Sequence, residues 1–198
     1  AMDKVLAKQI AESEGIETAK YVHLFRDTYV QKSDEVIKEI MSELTLPVYV
    51  KPAHLGSSIG ITKASNEAEL RNAIEVATYY DEKVLVEEEV QDLIEVTLPI
   101  MGNEELKVAL LERPLKIDGQ FFDFDTKYMR GGKKGGGKIG GKRGSQGYSE
   151  LPAKLDNDLY EEAITLGKRV YKVLGCSGTA RVDMLINQKT GKVYFLEA

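Results

Sequence analysis

The sequence predicts an α+β protein built as two lobes. Helical periodicity dominates the first half, strand signals dominate the second, and the character changes near residues 87 to 92, which read as a hinge. With 198 residues the chain is long enough for one ordinary domain or two small lobes with a real core. Periodic apolar segments run from residue 2 to residue 197 without an internal repeat, which excludes wholesale disorder.

Met2, Val5, Leu6 and Ile10 share a helical face, and Gly15 stops that helix. Tyr21 to Phe25 reads as a short strand. Ser33 is placed to cap a second helix carrying Val36, Ile37, Ile40 and Met41. Val48-Tyr49-Val50 makes a strand closed by Lys51-Pro52, and after a Gly-Ser turn Ile61 to Lys63 resumes the sheet. Asn66, with Glu69 three residues on, resembles a capping box for a helix through Leu70, Ala73, Ile74 and Ala77. Strands follow at Val84-Leu85-Val86, Ile94 to Ile100 and Leu106 to Leu111, then a hairpin around Asp118-Gly119. Asp156 is placed to cap a long helix carrying Leu159, Ala163, Leu166, Val170 and Leu174, ended by Gly175. Strands at Gly178 to Gln188 and Lys192 to Leu196 complete the series.

Composition excludes several classes of function. No apolar run approaches the roughly 18 residues of a membrane helix, and Ala1-Met2-Asp3-Lys4 does not open a signal peptide. Cys176, the single cysteine, forms no intramolecular disulfide and has no Cys partners for zinc, so a reducing, cytoplasmic setting is expected. A net charge of −5 argues against nucleic-acid binding by the chain as a whole. One segment departs from that average. Between Thr126 and Tyr148 there is no acid, whereas Lys127, Arg130, Lys133, Lys134, Lys138, Lys142 and Arg143 are basic, and nine of the 18 glycines lie between Gly131 and Gly147. Three readings stay open for this loop: a lid closing on a polyanion, an idle insertion, or a nucleic-acid contact.

The last hairpin gives the sharpest geometry. A three-residue turn at Lys189-Thr190-Gly191 pairs Gln188 with Lys192, and therefore Asp183 with Glu197. Arg181, Asp183 and Glu197 then project from one face. Two adjacent carboxylates repel unless a cation or proton separates them; Mg²⁺ carrying phosphate oxygens would do so, with Arg181 suited to a phosphate oxygen, and a solvated Arg–Asp face is the alternative. Gly56-Ser57-Ser58-Ile59-Gly60 offers backbone N–H groups and hydroxyls to a phosphate, with Lys51 just upstream, although most such turns are only turns. Glu87-Glu88-Glu89 reads as a solvated charge run, His23 and His54 as packing or surface residues, and Cys176 as a small buried one. No Ser/His/Asp or Cys/His motif appears.

Taken together these pieces resemble the ATP-grasp ligases, and within them the D-alanine–D-alanine ligase family. The matching motifs are Met2-Asp3-Lys4, Val50-Lys51-Pro52 with Gly56-Ser57-Ser58-Ile59-Gly60, Val86-Glu87-Glu88, Lys127-Tyr128, Gly175-Cys176-Ser177-Gly178 and Ala180-Arg181-Val182-Asp183, in order over nearly the whole chain. The resemblance implies an ATP-grasp fold with nucleotide between the lobes: residues 1–91 as the small lobe, and 92–198 as the large lobe with lid and metal-binding hairpin. It implies that Lys4 and Lys51 hold ATP phosphates, Ser57 and Ser58 close over the reacting phosphate, and Glu87, Glu88, Glu89 and Val90 meet the adenine through backbone groups. It further implies that Lys127 and Tyr128 begin the lid, Arg181 stabilises the transferring group, and Asp183 with Glu197 bind Mg²⁺, with Mn²⁺ as a substitute. Ser57, Lys127 and Arg181 are thus the catalytic candidates.

The implied reaction is ATP-driven amide formation. A D-amino acid carboxylate takes the γ-phosphoryl group, and the amine of a second attacks the acyl phosphate, supplying D-alanyl-D-alanine for peptidoglycan precursor synthesis. Another carboxylate–amine ligase, or a non-catalytic nucleotide- or nucleic-acid-binding module, is the alternative. The family's full-length enzymes carry a further N-terminal domain and continue past the position of Glu197, and are expected to be homodimers. The chain therefore reads as a truncated ATP-grasp portion that binds nucleotide with little turnover. Glu89 stands where the family usually has an aromatic or apolar residue, and Leu93 where it has a ribose-binding Glu, with Asp92 one residue away.

Overall fold

The computed structural model describes residues 3–115 and 149–198. Helix α1 (Lys4–Ser13) leads into β1 (Tyr21–Phe25) and α2 (Arg26–Glu43). Strands β2 (Val48–Pro52) and β3 (Thr62–Ala64), helix α3 (Glu67–Tyr80) and β4 (Lys83–Glu88) complete the first sheet, ordered β1-β4-β2-β3 and antiparallel throughout. The second sheet takes β5 (Leu93–Gly102) and β6 (Leu106–Val108), then, after the small pair β7 (Arg113–Pro114) and β8 (Ser149–Glu150) and helix α4 (Asn157–Val173), strands β9 (Gly178–Asn187) and β10 (Val193–Glu197). Its order is β10-β9-β5-β6, also antiparallel.

The period of two along each strand decides what faces what. In the first sheet Val48, Val50, Val84 and Val86 pack with Leu70, Ile74, Ile37 and Ile40 of α3 and α2. In the second, Val96, Leu98, Val182, Met184 and Phe195 pack with Ala163, Val170 and Tyr171 of α4. Each sheet therefore buries one face under helices and turns the other toward the space between the sheets. Gly167 allows the close approach of α4, since a Cβ there would lie 2.6 Å from Leu98 Cδ2.

Several expectations meet corrections. Helix α1 buries Val5, Ala7, Lys8 and Ala11, while Leu6 is half exposed. Val5 packs with Ala53 and Leu85 beside the first sheet, and Ala7 and Ala11 join the core of the second sheet. A helix held on two sides does not show one apolar stripe. Helix α2 begins at Arg26 and is two helical stretches joined at the non-helical Lys32 (φ −141°, ψ 43°), so a helix does restart at Ser33, with Lys32 and not Ser33 carrying the non-helical backbone before it. Asp156 stands at the N-cap of α4 but makes no side-chain capping bond. Asn66 does cap α3, accepting from Glu69 N at 2.9 Å, while Glu69 accepts from Ser65 N at 2.7 Å. The strand expected from Leu106 to Leu111 ends at Val108, and Cys176 is only partly buried. The Asp118-Gly119 hairpin and the glycine-rich loop lie outside the described residues. Among the described residues no helix is long and apolar enough to cross a membrane.

Candidate functional site

The inner faces of the two sheets enclose a cleft of about 940 Å³, counting the solvent at its mouth. In the first sheet Tyr49 and Lys51 on β2 and Leu85 and Glu87 on β4 share one face, because Tyr49 stands opposite Glu87 and Lys51 opposite Leu85. In the second sheet Leu93, Glu95 and Thr97 on β5 lie beside Arg181, Asp183 and Leu185 on β9, with Glu197 on β10 opposite Asp183. Lys4, Lys51, Ser58, Glu87, Glu88, Val90 and Glu197 all line the cleft. Ser57, Glu89, Arg181 and Asp183 do not, although Arg181 and Asp183 share an adjoining hollow with Glu197. Lys127 and Tyr128 lie outside the described residues.

The two walls differ in charge. On the first, Lys4 Nζ donates to the Leu55 carbonyl at 2.5 Å and lies 3.3 Å from Glu197. Lys51 Nζ is ion-paired with Glu87, which also lies 3.0 Å from the Nζ of Lys8. Lys8 and Glu87 are 1% and 2% exposed, so the expected solvated run begins with a fully buried carboxylate. Burial alone would push the Glu87 carboxyl up, but Lys51 and Lys8 together outweigh it and hold it at about 2. Glu88 accepts from Thr45 N at 2.7 Å, and Glu89 accepts from Tyr49 Oη at 3.0 Å and from Lys63 Nζ at 2.6 Å. Ser57 and Ser58 both adopt left-handed backbone (φ 55° and 60°), where a non-glycine residue costs roughly 1–3 kcal/mol.

On the second wall Asp183 is 4% exposed and accepts from Thr97 Oγ1 at 2.9 Å and from Arg181 Nε and Nη2 at 3.0 and 2.9 Å. Burial pushes its carboxyl up to about 6; Arg181 and Thr97 oppose that, and Glu197 adds to it. A buried carboxylate standing beside a second one suits a hard cation, and both donors are oxygen. The pair is too few to complete a six-coordinate shell, and among the described residues no His, Cys, Asp or Glu completes a group of three. These residues fit a divalent ion whose other ligands come from a bound phosphate and water.

The pairing of Asp183 with Glu197 matches the sequence reading, but by a different route. Val193 pairs with Ile186 and Phe195 with Met184, and Asn187 N donates to the Lys192 carbonyl at 2.9 Å. A four-residue turn (188–191) thus stands where a three-residue one pairing Gln188 with Lys192 was expected, and a bulge at Leu196 restores the register. Lys8 and Glu95 escaped the sequence reading. The 3.6-residue period places Lys8 on the same side of α1 as Lys4. The alternation of β5 puts Glu95 on the Leu93 face, which lines the cleft, whereas Asp92 turns away to pair with Lys189 at 2.8 Å. The histidines are structural: His54 Nδ1 lies 2.9 Å from Asp81 Oδ2, and His23 packs edge-on against Phe25.

Known proteins share this fold. The chain superposes on the VanG D-Ala:D-Ser ligase of Enterococcus faecalis with a TM-score of 0.78 at 31% identity, covering 99% of this chain and 51% of that one. The D-alanine–D-alanine ligase of Coxiella burnetii, at 21% identity and a TM-score of 0.71, shares the fold. Two antiparallel sheets facing each other across a cleft, in this company, make it an ATP-grasp protein.

The D-ala D-ala ligase C-terminus family model matches residues 10–198. D-alanine–D-alanine ligase of Clostridium acetobutylicum is 37% identical over 99% of the chain, and D-alanine–D-alanine ligase B of Clostridium tetani is 36% identical over the same share. The chain belongs to the D-alanine–D-alanine ligase family. It spans about half the length of these curated relatives, 52% and 50%.

Proposed function

We propose that this chain is the nucleotide-binding half of an ATP- and Mg²⁺-dependent ligase joining D-alanine to D-alanine for peptidoglycan precursors. One observation carries the reading: Lys4 and Lys51 line one cleft together with Glu197, and Glu197 is paired across β10 and β9 with Asp183, which opens on the adjoining hollow. Phosphoryl transfer is mostly positioning and charge neutralisation, and such a cleft supplies both.

Lys4 and Lys51 hold the phosphates, and the Ser57-Ser58 loop closes over the one that is transferred. Backbone groups from Glu87 to Val90, on the strand joining the sheets, meet the base, and Leu93 packs beneath it. Glu95 accepts from a sugar hydroxyl. Arg181 exchanges its partner Asp183 for the transferring group, while Asp183 and Glu197 hold the divalent ion. That ion, when bound, draws negative charge off the phosphate oxygens. Lys127 and Tyr128 keep the lid role through family resemblance alone. The acceptor amino acid is the finer question: similarity to a D-Ala:D-Ser ligase makes D-serine the second reading.

Calorimetric titration of MgATP into residues 1–198, repeated with Asp183→Asn, tests this. Binding that requires Mg²⁺ and weakens in the variant is expected. Binding equally strong in EDTA and in Asp183→Asn removes the acidic pair from the site.

A further inference from the structure

Lys8 takes no part in the proposed contacts, yet it is among the most deeply buried side chains of the protein, at 1% exposure. Its Nζ lies 3.0 Å from Glu87 Oε2 and 5.3 Å from the centre of the Tyr21 ring. Glu87 already has a partner in Lys51, and one buried lysine balances one buried glutamate. A second buried ammonium costs several kcal/mol of desolvation and is not needed to neutralise the pair. The three side chains therefore carry one surplus positive charge. Its two outer members are placed differently: Lys51 lines the cleft, and Lys8 does not.

A lysine whose charge is taken up by a buried carboxylate is a poor ligand for an incoming anion. Moving Lys51 from Glu87 to a phosphate strands the carboxylate unless another cation stays behind. We infer that Lys8 is a positioning residue for nucleotide binding: by keeping Glu87 compensated, it frees Lys51 to engage the phosphates. Lys8 never touches the nucleotide; it sets the charge that Lys51 has to offer. The inference rests on the proposed placement of MgATP in this cleft.

Charge balance distinguishes this role from simple packing. The experiment compares MgATP and adenosine binding to the wild-type chain, Lys8→Met, Lys8→Arg and the double variant Lys8→Met/Glu87→Gln, with folding checked by circular dichroism. Lys8→Met removes the surplus charge and is expected to weaken MgATP binding about tenfold or more while adenosine, having no phosphate, changes less than about threefold. Lys8→Arg retains binding. The double variant makes residue 87 neutral, releases Lys51 again and recovers MgATP affinity to within about threefold of wild type. Equal losses for MgATP and adenosine, or a folded double variant as weak as Lys8→Met, would overturn the inference. If Lys8→Met fails to fold, the double variant decides alone: near-wild-type MgATP affinity supports the inference, and a tenfold loss refutes it. Absence of MgATP binding to the wild-type chain would instead refute the placement of nucleotide in the cleft.

Discussion

Replacing Glu87 by Gln leaves Lys8 and Lys51 facing each other in the interior without a counter-charge. The two lysines hold the carboxyl of Glu87 at about 2, against 4.5 for an ordinary glutamate. At about 1.4 kcal/mol per pH unit, that difference corresponds to about 3 kcal/mol of stability at neutral pH, in the range measured when one partner of a buried ion pair is removed. The group's folded pKa is depressed, so its contribution is present in full above 4.5 and is lost as pH falls toward 2. By about pH 3, roughly 2 of those 3 kcal/mol should be gone. Urea unfolding of wild type and Glu87→Gln at pH 7, 5, 4 and 3 measures this directly. At pH 7 the variant should be less stable by about 3 kcal/mol, and the gap should narrow by about 2 kcal/mol at pH 3, because only wild type loses the contribution. A gap that is constant with pH, or a variant as stable as wild type at pH 7, refutes the buried triad as described.

Lys51→Ala removes the cleft-facing ammonium and should weaken MgATP binding by about 1.5–3 kcal/mol, read by calorimetry; an unchanged dissociation constant takes Lys51 out of the site. Gly60→Ala forces φ +71° on an L-residue whose Cβ would lie 2.8 Å from Pro52 Cγ, and a loss of about 1–3 kcal/mol in chemical denaturation is expected. Gly167→Ala drives a methyl group into Leu98 and should cost about 1–3 kcal/mol, measured as a lower thermal midpoint. Tyr171→Phe deletes hydroxyl donation to the Gly102 carbonyl (2.7 Å), which should cost about 1 kcal/mol.

What the sequence disclosed, and what it hid, follows from the range of the interactions involved. Strand β2, the Asn66–Glu69 cap and the stop at Gly175 rest on contacts within a few residues, and the pattern of residue types reports them. The juxtaposition of Asp183 and Glu197 was legible because hairpin register is also local, although a longer turn and a bulge at Leu196 offset one another to produce it. The burial of Glu87 was not legible. A run of three glutamates looks solvated until α1 brings Lys8 across β4 from the far end of the first 91 residues. Lys8 in turn was hidden because α1 is wedged between two cores, so its buried side includes a lysine and its apolar pattern misassigns Leu6.

The proposed nucleotide site lies between the inner faces of the two sheets. Amide chemical-shift mapping of the ¹⁵N-labelled chain during MgATP titration tests that placement most directly. Saturable shifts are expected at Lys4, Lys51, Ser58, Val90, Leu93, Glu95 and Glu197, with little change on the outer faces of α2 and α3 around Glu39 and Val76. Shifts confined to α2 and α3, or none at these cleft residues at saturating MgATP, would contradict it.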